Sequence, residues 1–149
     1  MTISATESAA MAVNADAAGA DPRFVAPDLV SVDANGLPHL TGGRCRACGV
    51  RSFPRAPVCT SCLSEDVDAC NVGDHGTLYS YSIVHQAPKG WAVPYVLGYI
   101  DLPDDVRVLA HLDVHPTAVK IDMPMKLAVG VVGTDAAGSP LISYTFAPA

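Results

Sequence analysis

The sequence predicts a mainly β protein in which an N-terminal zinc ribbon precedes a five-stranded OB-type barrel. Two C-x-x-C motifs, separated by a ten-residue spacer that contains two prolines, predict the ribbon. Five short segments rich in β-branched and aromatic residues follow, and turn signals separate them. Five strands with one longer excursion between the third and the fourth are what an OB barrel requires, while an open antiparallel sheet packed on the ribbon is the alternative.

The composition restricts the classes of function. The 149 residues suffice for one ordinary domain, or for a metal-stapled module plus a small core-forming one. Apolar runs long enough to span a bilayer are absent, so no membrane partner is expected. The formal net charge of −6 argues against nucleic acid as the main partner. The first twenty residues contain no Lys or Arg, which argues against a secretory signal, and two C-x-x-C pairs without such a signal favour a reducing cytoplasm and metal ligation over disulfides.

Composition also divides the chain into four regions. Residues 1–22 are rich in Ala and predict a disordered or loosely helical tail. Residues 23–43 contain several Pro and Gly residues and predict an extended lead-in. Residues 44–70 hold the cysteine pairs and predict the ribbon, and residues 71–149 predict the barrel.

The cysteine pairs are the strongest chemical signal. They present four soft thiolates from two tight turns, which suits tetrahedral Zn²⁺. Four protein ligands leave no open coordination position, so the metal is expected to be structural; iron is the second candidate metal, and four unmetallated thiols are the alternative. The predicted ligands are Cys45, Cys48, Cys59 and Cys62.

Basic residues are concentrated around these cysteines. Two interpretations are open: a docking patch for phosphates or an acidic partner, or local compensation of the net charge of about −2 on a four-thiolate zinc site. Cys70 lies outside the pattern and is expected to be an inert, buried thiol. The basic residues concerned are Arg44, Arg46, Arg51 and Arg55.

The barrel strands are predicted one by one from periodicity and turn signals. The third alternates apolar and polar residues and should be half-buried, and Pro103, Asp104 and Asp105 should join it to the second in a hairpin. Tyr79, Tyr81, Ile83 and His85 are expected to share one face of the first strand as core or barrel wall. The five predicted strands cover residues 76–86, 94–102, 106–112, 125–132 and 141–146.

The loop after the first barrel strand is a candidate ligand or partner site. In OB folds this loop commonly lines the ligand face. Lys89 could meet a phosphate there, and Trp91 could stack on a planar ring or anchor an interface. A solvated loop with the indole ring folded back onto the barrel is the alternative. The histidines show no metal-ligand spacing, and His85 and His111 are expected to be structural.

An ordered series of motifs resembles a known family. The segments GRCRACG (43–49), FP (53–54), VCTSC (58–62), GTLYSY (76–81), PYVLGY (94–99) and VRVLAH (106–111) are similar to those of the zinc-ribbon/OB-fold acyl-CoA-associated proteins, the family of domain of unknown function 35. The resemblance runs from about residue 37 to the C-terminus. The segments GLPHL (36–40) and VHQAPKGW (84–91) resemble most closely the small subunits of thiolases of anaerobic toluene breakdown. DMPM (122–125) departs from the Gly-Met that the family usually carries there.

The resemblance implies a rubredoxin-like ribbon and a role without catalysis. A thiolase needs a nucleophilic cysteine with acid/base partners and an oxyanion hole. Here four cysteines are predicted metal ligands, and Cys70 lacks an evident base. We therefore expect a zinc-binding accessory subunit of a CoA-dependent, thiolase-type acyltransferase hetero-oligomer, whose larger subunit carries the chemistry and which acts in aromatic-compound degradation. The alternatives are a nucleic-acid-binding module and an accessory subunit of an acyl-CoA hydratase or aldolase. A third, a stand-alone thioesterase or thiolase activity, is not expected.

Overall fold

A computed structural model describes residues 23–149 and contains ten β-strands in two sheets. The predicted tail, residues 1–22, lies outside the described residues. Within residues 23–149 no helix is long and apolar enough to cross a membrane. The strands are β1 (Arg23–Phe24), β2 (Val30–Val32), β3 (Pro38–Cys45), β4 (Arg51–Ser52), β5 (Val67–Val72), β6 (His75–Val84), β7 (Tyr95–Leu102), β8 (Val106–Leu112), β9 (Pro124–Thr134) and β10 (Pro140–Pro148).

The second half of the chain forms the predicted closed barrel of five strands. Strand β6 pairs with β7 and β7 with β8, both antiparallel. Strand β8 pairs in parallel with β10, and β10 pairs antiparallel with β9. Strand β9 pairs antiparallel with β6 and so closes the barrel. This order, with its one parallel contact between the third and fifth barrel strands, confirms the OB topology. The excursion between β8 and β9 contains turns and no helix.

The strands form where the sequence alternates. In β8, Val106, Val108, Ala110 and Leu112 are buried, while the residues between them face outward, as the period of two predicts. The predicted turn between β7 and β8 is present, and both Asp104 and Asp105 adopt positive φ angles. Asp residues tolerate this left-handed conformation better than most side chains do.

The departure from the family pattern at residue 122 leaves the fold intact. Asp122 adopts a φ of +65°, the conformation that a glycine would take without strain. Its amide donates a hydrogen bond to the Leu78 carbonyl (2.9 Å), and the Leu78 amide donates to the Met123 carbonyl (2.9 Å). The segment therefore still enters β9 beside β6.

The ribbon sheet is built around β3 and shares its core with the barrel. Strand β3 pairs with β2, β4 and β5. Val30, Leu40 and Val72 from this sheet lie in the same buried cluster as the barrel residues, and Leu40 is completely buried. Phe53 packs edge-on against Tyr144 of β10, with ring centroids 5.5 Å apart. The ribbon sheet and the barrel thus share one continuous hydrophobic core, while Cys45, Cys59 and Val67 at the cysteine end form a second, smaller cluster.

Candidate functional site

The four predicted ligands form one tight cluster. Their sulfur atoms all lie within 4.8 Å of one another, and the Cys45–Cys62 and Cys48–Cys59 pairs are each separated by 3.6 Å. Four sulfurs at a Zn–S distance of 2.3 Å in a tetrahedron would lie about 3.8 Å apart. The residues therefore fit a single four-coordinate ion, which all four sulfur atoms would coordinate.

Two equivalent turns present the thiolates. The Gly49 amide donates to the Cys45 carbonyl (2.9 Å), and the Leu63 amide donates to the Cys59 carbonyl (3.1 Å) in the same way. Both residues that close the turns have positive φ, +79° at Gly49 and +62° at Leu63. Leucine is strained in this conformation by about 1–2 kcal/mol, yet the second turn has the same geometry as the first. The two C-x-x-C segments are thus related by an approximate symmetry.

The pKa values of the clustered thiols indicate that a cation is needed to ionise all four. The amides of Cys62 and Ser61 point at Cys59 and lower the pKa of its thiol to about 6, and the Cys48 amide lowers the pKa of Cys45. At Cys48 the Val50 amide acts in the same direction, but desolvation and the neighbouring sulfurs outweigh it and raise the pKa to about 12. Four thiols this close do not all ionise unaided, whereas a divalent metal stabilises all four thiolates. Bound zinc would link the two turns as a structural element.

The surrounding arginines are mostly engaged within the chain. Arg46 forms a short ion pair with Asp68 (2.5 Å) and lies 3.7 Å from Asp66. Arg51 reaches across to Asp104 in the β7–β8 turn at 3.3 Å. Both guanidinium groups are thus paired with aspartates, which leaves less free positive charge around the cluster for a docking patch.

The other two arginines differ in their surroundings. Arg55 donates to the Val67 carbonyl (2.8 Å) and packs beside Gly43. Arg44 is exposed on β3, where its neighbours across the sheet are Arg51 and Asp68. Cys70 on β5 is half-buried rather than fully buried as expected.

The loop that carries Lys89 and Trp91 lies against the barrel. The Thr134 amide donates to the Gly90 carbonyl (2.8 Å), which fixes the loop to the end of β9. Lys89 is exposed. The Trp91 ring stacks on His111 (5.4 Å between centroids), and His111 stacks on Tyr95 (4.5 Å). The ring therefore folds back onto the barrel, as the alternative interpretation of the loop has it.

The expected row of β6 side chains is broken. A bulge between Leu78 and Ser80 inserts Tyr79 into the outward side of the sheet, where the Arg107 guanidinium lies 3.6 Å from the centre of its ring. Tyr81 and Ile83 pair instead with Gly98 and Val96, on the opposite side. The prediction that these residues share one face was wrong, because one extra residue reverses the alternation.

Sequence reasoning missed an aromatic surface on the outside of β6–β8. Tyr79, Tyr99 and Leu109 are 53%, 43% and 43% exposed. The cross-strand pairs Tyr99–Leu109 and Leu97–His111 would have identified this surface once the register was known. We call it the aromatic face, and define it as Tyr79, Trp91, Tyr95, Leu97, Tyr99, Leu109 and His111.

Two family models match the chain. The ChsH2 rubredoxin-like zinc ribbon domain matches residues 36–68, and the ChsH2 C-terminal OB-fold domain matches residues 71–131. These two segments carry, respectively, the cysteine cluster and most of the barrel with its aromatic face.

Individual relatives support the same relationship. The chain is 39% identical over 127 residues to benzoylsuccinyl-CoA thiolase subunit BbsA of Thauera aromatica, covering 85% of this chain and 88% of the relative. It is 31% identical over 114 residues to a DUF35 domain-containing scaffold protein of Pyrococcus furiosus, covering 74% of this chain and 83% of the relative. A solved structure, the Ltp2-ChsH2(DUF35) aldolase, is similar with a TM-score of 0.61 and 29% identity, and the match covers 74% of this chain and 84% of that one.

Proposed function

Because this chain belongs to the ChsH2 family of zinc-ribbon and OB-fold proteins, we propose that it is a non-catalytic, zinc-binding accessory subunit of a CoA-dependent, thiolase-type acyltransferase complex. The observation that carries the proposal is the 39% identity to BbsA, which extends over 88% of that thiolase subunit. The finer assignment is cleavage of benzoylsuccinyl-CoA in a cytoplasmic pathway of aromatic degradation.

The chemistry available in the chain supports an accessory role. The thiols of Cys45, Cys48, Cys59 and Cys62 are gathered in the metal cluster, which leaves Cys70 as the fifth cysteine of the sequence. A metal held by four protein sulfurs has no position for substrate or water. The reacting cysteine and its acid/base partners are therefore assigned to the larger subunit.

The exposed cations give the chain a limited capacity to contact acyl-CoA. Among the basic residues of the proposed contact set, Lys89 and Arg44 are the two whose side chains form no hydrogen bond or ion pair within residues 23–149. We assign to them, and to Arg55 and Trp91, a contact with the CoA tail or with the partner subunit. Arg46 and Arg51, which already pair with aspartates, are assigned a contact with the partner subunit alone. Pairing of these arginines with acids also weighs against a nucleic-acid-binding role.

The proposal is tested with the full chain and its native partner. An affinity-tagged chain is purified from its source organism, and the copurifying subunit is identified by mass spectrometry and co-expressed. We expect a thiolase-type subunit, and cleavage of benzoylsuccinyl-CoA with CoA to give benzoyl-CoA and succinyl-CoA by the complex but not by the chain alone. Thioester cleavage by the isolated chain, or a partner of another class, would contradict the assignment.

An aldolase partner is the second candidate. The structural similarity to the Ltp2-ChsH2(DUF35) aldolase, at a TM-score of 0.61, is the observation that favours it. The same purification distinguishes the two, because an aldolase complex would form a carbon–carbon bond to an aldehyde or cleave one without consuming CoA.

A further inference from the structure

The aromatic face exposes large apolar side chains in one continuous patch. Tyr99 and Leu109 lie directly opposite each other on β7 and β8, and Tyr79 adjoins them from β6. Together with the stacked rings of Trp91, Tyr95 and His111 they cover the outer side of β7 and β8, and Tyr79 extends this cover onto β6. Folding itself gains little from the exposed rings, so their concentration on one side of the barrel indicates a contact surface.

Formal charge on this face is balanced internally. The outward positions of β6, β7 and β8 include two formally charged residues, Asp101 and Arg107. They form a two-point ion pair at 2.6 and 3.0 Å, and Arg107 stacks on Tyr79. Burial lowers the pKa of His111 and so favours its neutral ring. On the strands of this face an anionic ligand would find no free positive charge, whereas the centre of a protein interface is depleted of charge in the same way.

Within the described part of the chain, unpaired carboxylates lie at both ends of the β7–β8 hairpin. Asp105 is exposed in the turn and Asp113 is exposed directly after β8, whereas Asp104 is paired with Arg51. A depression of about 370 Å³ at the turn is bordered by Asp101, Asp105 and Arg107. The chain carries a net charge of −6, so two copies docking through this face would bring acidic edges together. A partner with basic side chains around an apolar centre fits better.

We propose that the aromatic face is the surface through which this chain docks onto its catalytic subunit, which presents an apolar patch with a basic edge. The inference rests on the proposed function for the identity of the partner. Strands β7 and β8, with eight and seven residues, span about 25 Å, and the width from β8 to Tyr79 on β6 is about 15 Å, which gives about 350–400 Å². That area matches the buried centre of an interface of standard size, about 800 Å² per partner. The loop with Lys89 and the β7–β8 turn would supply the rim.

Substitutions on the face test the proposal against a matched tyrosine. Tyr99→Ala and Leu109→Gln remove exposed side chains of the face, and each should weaken binding by about 30-fold, the range of an interface hot spot. Tyr81→Ala is the control, because this tyrosine is on the same sheet and 37% exposed but lies on the opposite side. It should change the affinity less than threefold.

The measurement uses the copurified thiolase-type subunit and titration calorimetry with the full zinc-loaded chain. Equal affinities of parent, Tyr99→Ala and Leu109→Gln with that subunit would overturn the docking surface and leave the proposed function standing. If no thiolase-type subunit copurifies, both fail. If the chain self-associates in sedimentation and Tyr99→Ala abolishes this, the face contacts a second copy of the chain. If the isolated chain binds CoA and Tyr99→Ala abolishes this, the face binds a ligand. Either result would overturn the proposal.

Discussion

Substituting Leu40 should destabilise ribbon and barrel together. Leu40 lies on the ribbon strand β3, yet its side chain is completely buried in the core that the barrel shares. Leu→Ala substitutions at fully buried sites lower the free energy of unfolding by about 3–4 kcal/mol, the sum of lost transfer energy and the cavity that remains. At about 4 °C per kcal/mol for a domain of this size, we expect Leu40→Ala to lower Tm by about 12–16 °C.

The assay is differential scanning calorimetry in slight zinc excess, with Leu37→Ala as a chemically identical control. Leu37 is three residues away and 52% exposed, so its truncation should cost less than about 1 kcal/mol. The parent and both variants should each unfold in one transition, because a shared core couples the two sheets. Two separate transitions in the parent, or equal effects of the two substitutions, would refute the continuous core.

Three further predictions concern the metal, a histidine and a glycine. Cys59→Ser should abolish stoichiometric zinc in elemental analysis and unfold the ribbon, since structural zinc contributes on the order of 10–16 kcal/mol, while Cys70→Ser, outside the cluster, should keep one zinc. Burial lowers the pKa of His111, so the stability linked to its neutral ring is complete above the unfolded pKa near 6.5 and is lost as the pH falls below it. The decrease in Tm between pH 7 and 5.5 should therefore be smaller in His111→Phe than in the parent. Equal decreases would show that this histidine does not contribute to the pH dependence of stability. Gly42→Ala would place a methyl group 2.4 Å from the Ser52 carbonyl and should destabilise the chain by about 1–3 kcal/mol in urea titration, whereas Gly130→Ala, with contacts of 3.5 Å or more, should be close to neutral.

The sequence contains enough information for the metal cluster and the barrel because both follow from local patterns. Ligand spacing in 45–62 specifies which thiols meet, and each strand of the barrel alternates or clusters in a recognisable way. The closed order of strands follows from the number and spacing of the segments together with the OB precedent. Where these patterns were regular, as in β8, the predicted burial matches residue by residue.

Register was the part that local patterns could not provide. The bulge at Tyr79 depends on how β6 fits against β7, and one inserted residue placed Tyr79 and Tyr81 on opposite sides of the sheet. The same ambiguity hid the aromatic face, because its members come from three strands and one loop. The arginines posed a related difficulty: the partner of Arg51 is Asp104, more than fifty residues along the chain, and no local motif predicts that pair.

The contacts between ribbon and barrel explain why a closed metal site belongs in an accessory subunit. Arg51 of the ribbon holds Asp104 in the turn of the β7–β8 hairpin, and Phe53 packs on Tyr144, whose hydroxyl donates to the Leu109 carbonyl of β8 at 3.1 Å. Both contacts end on the strands that carry the aromatic face. A metal that fixes the two cysteine turns therefore also fixes the segment between them, from which Arg51 and Phe53 project. Bound zinc would thus act on a partner enzyme without touching its substrate, by holding rigid the hairpin that carries the proposed docking surface.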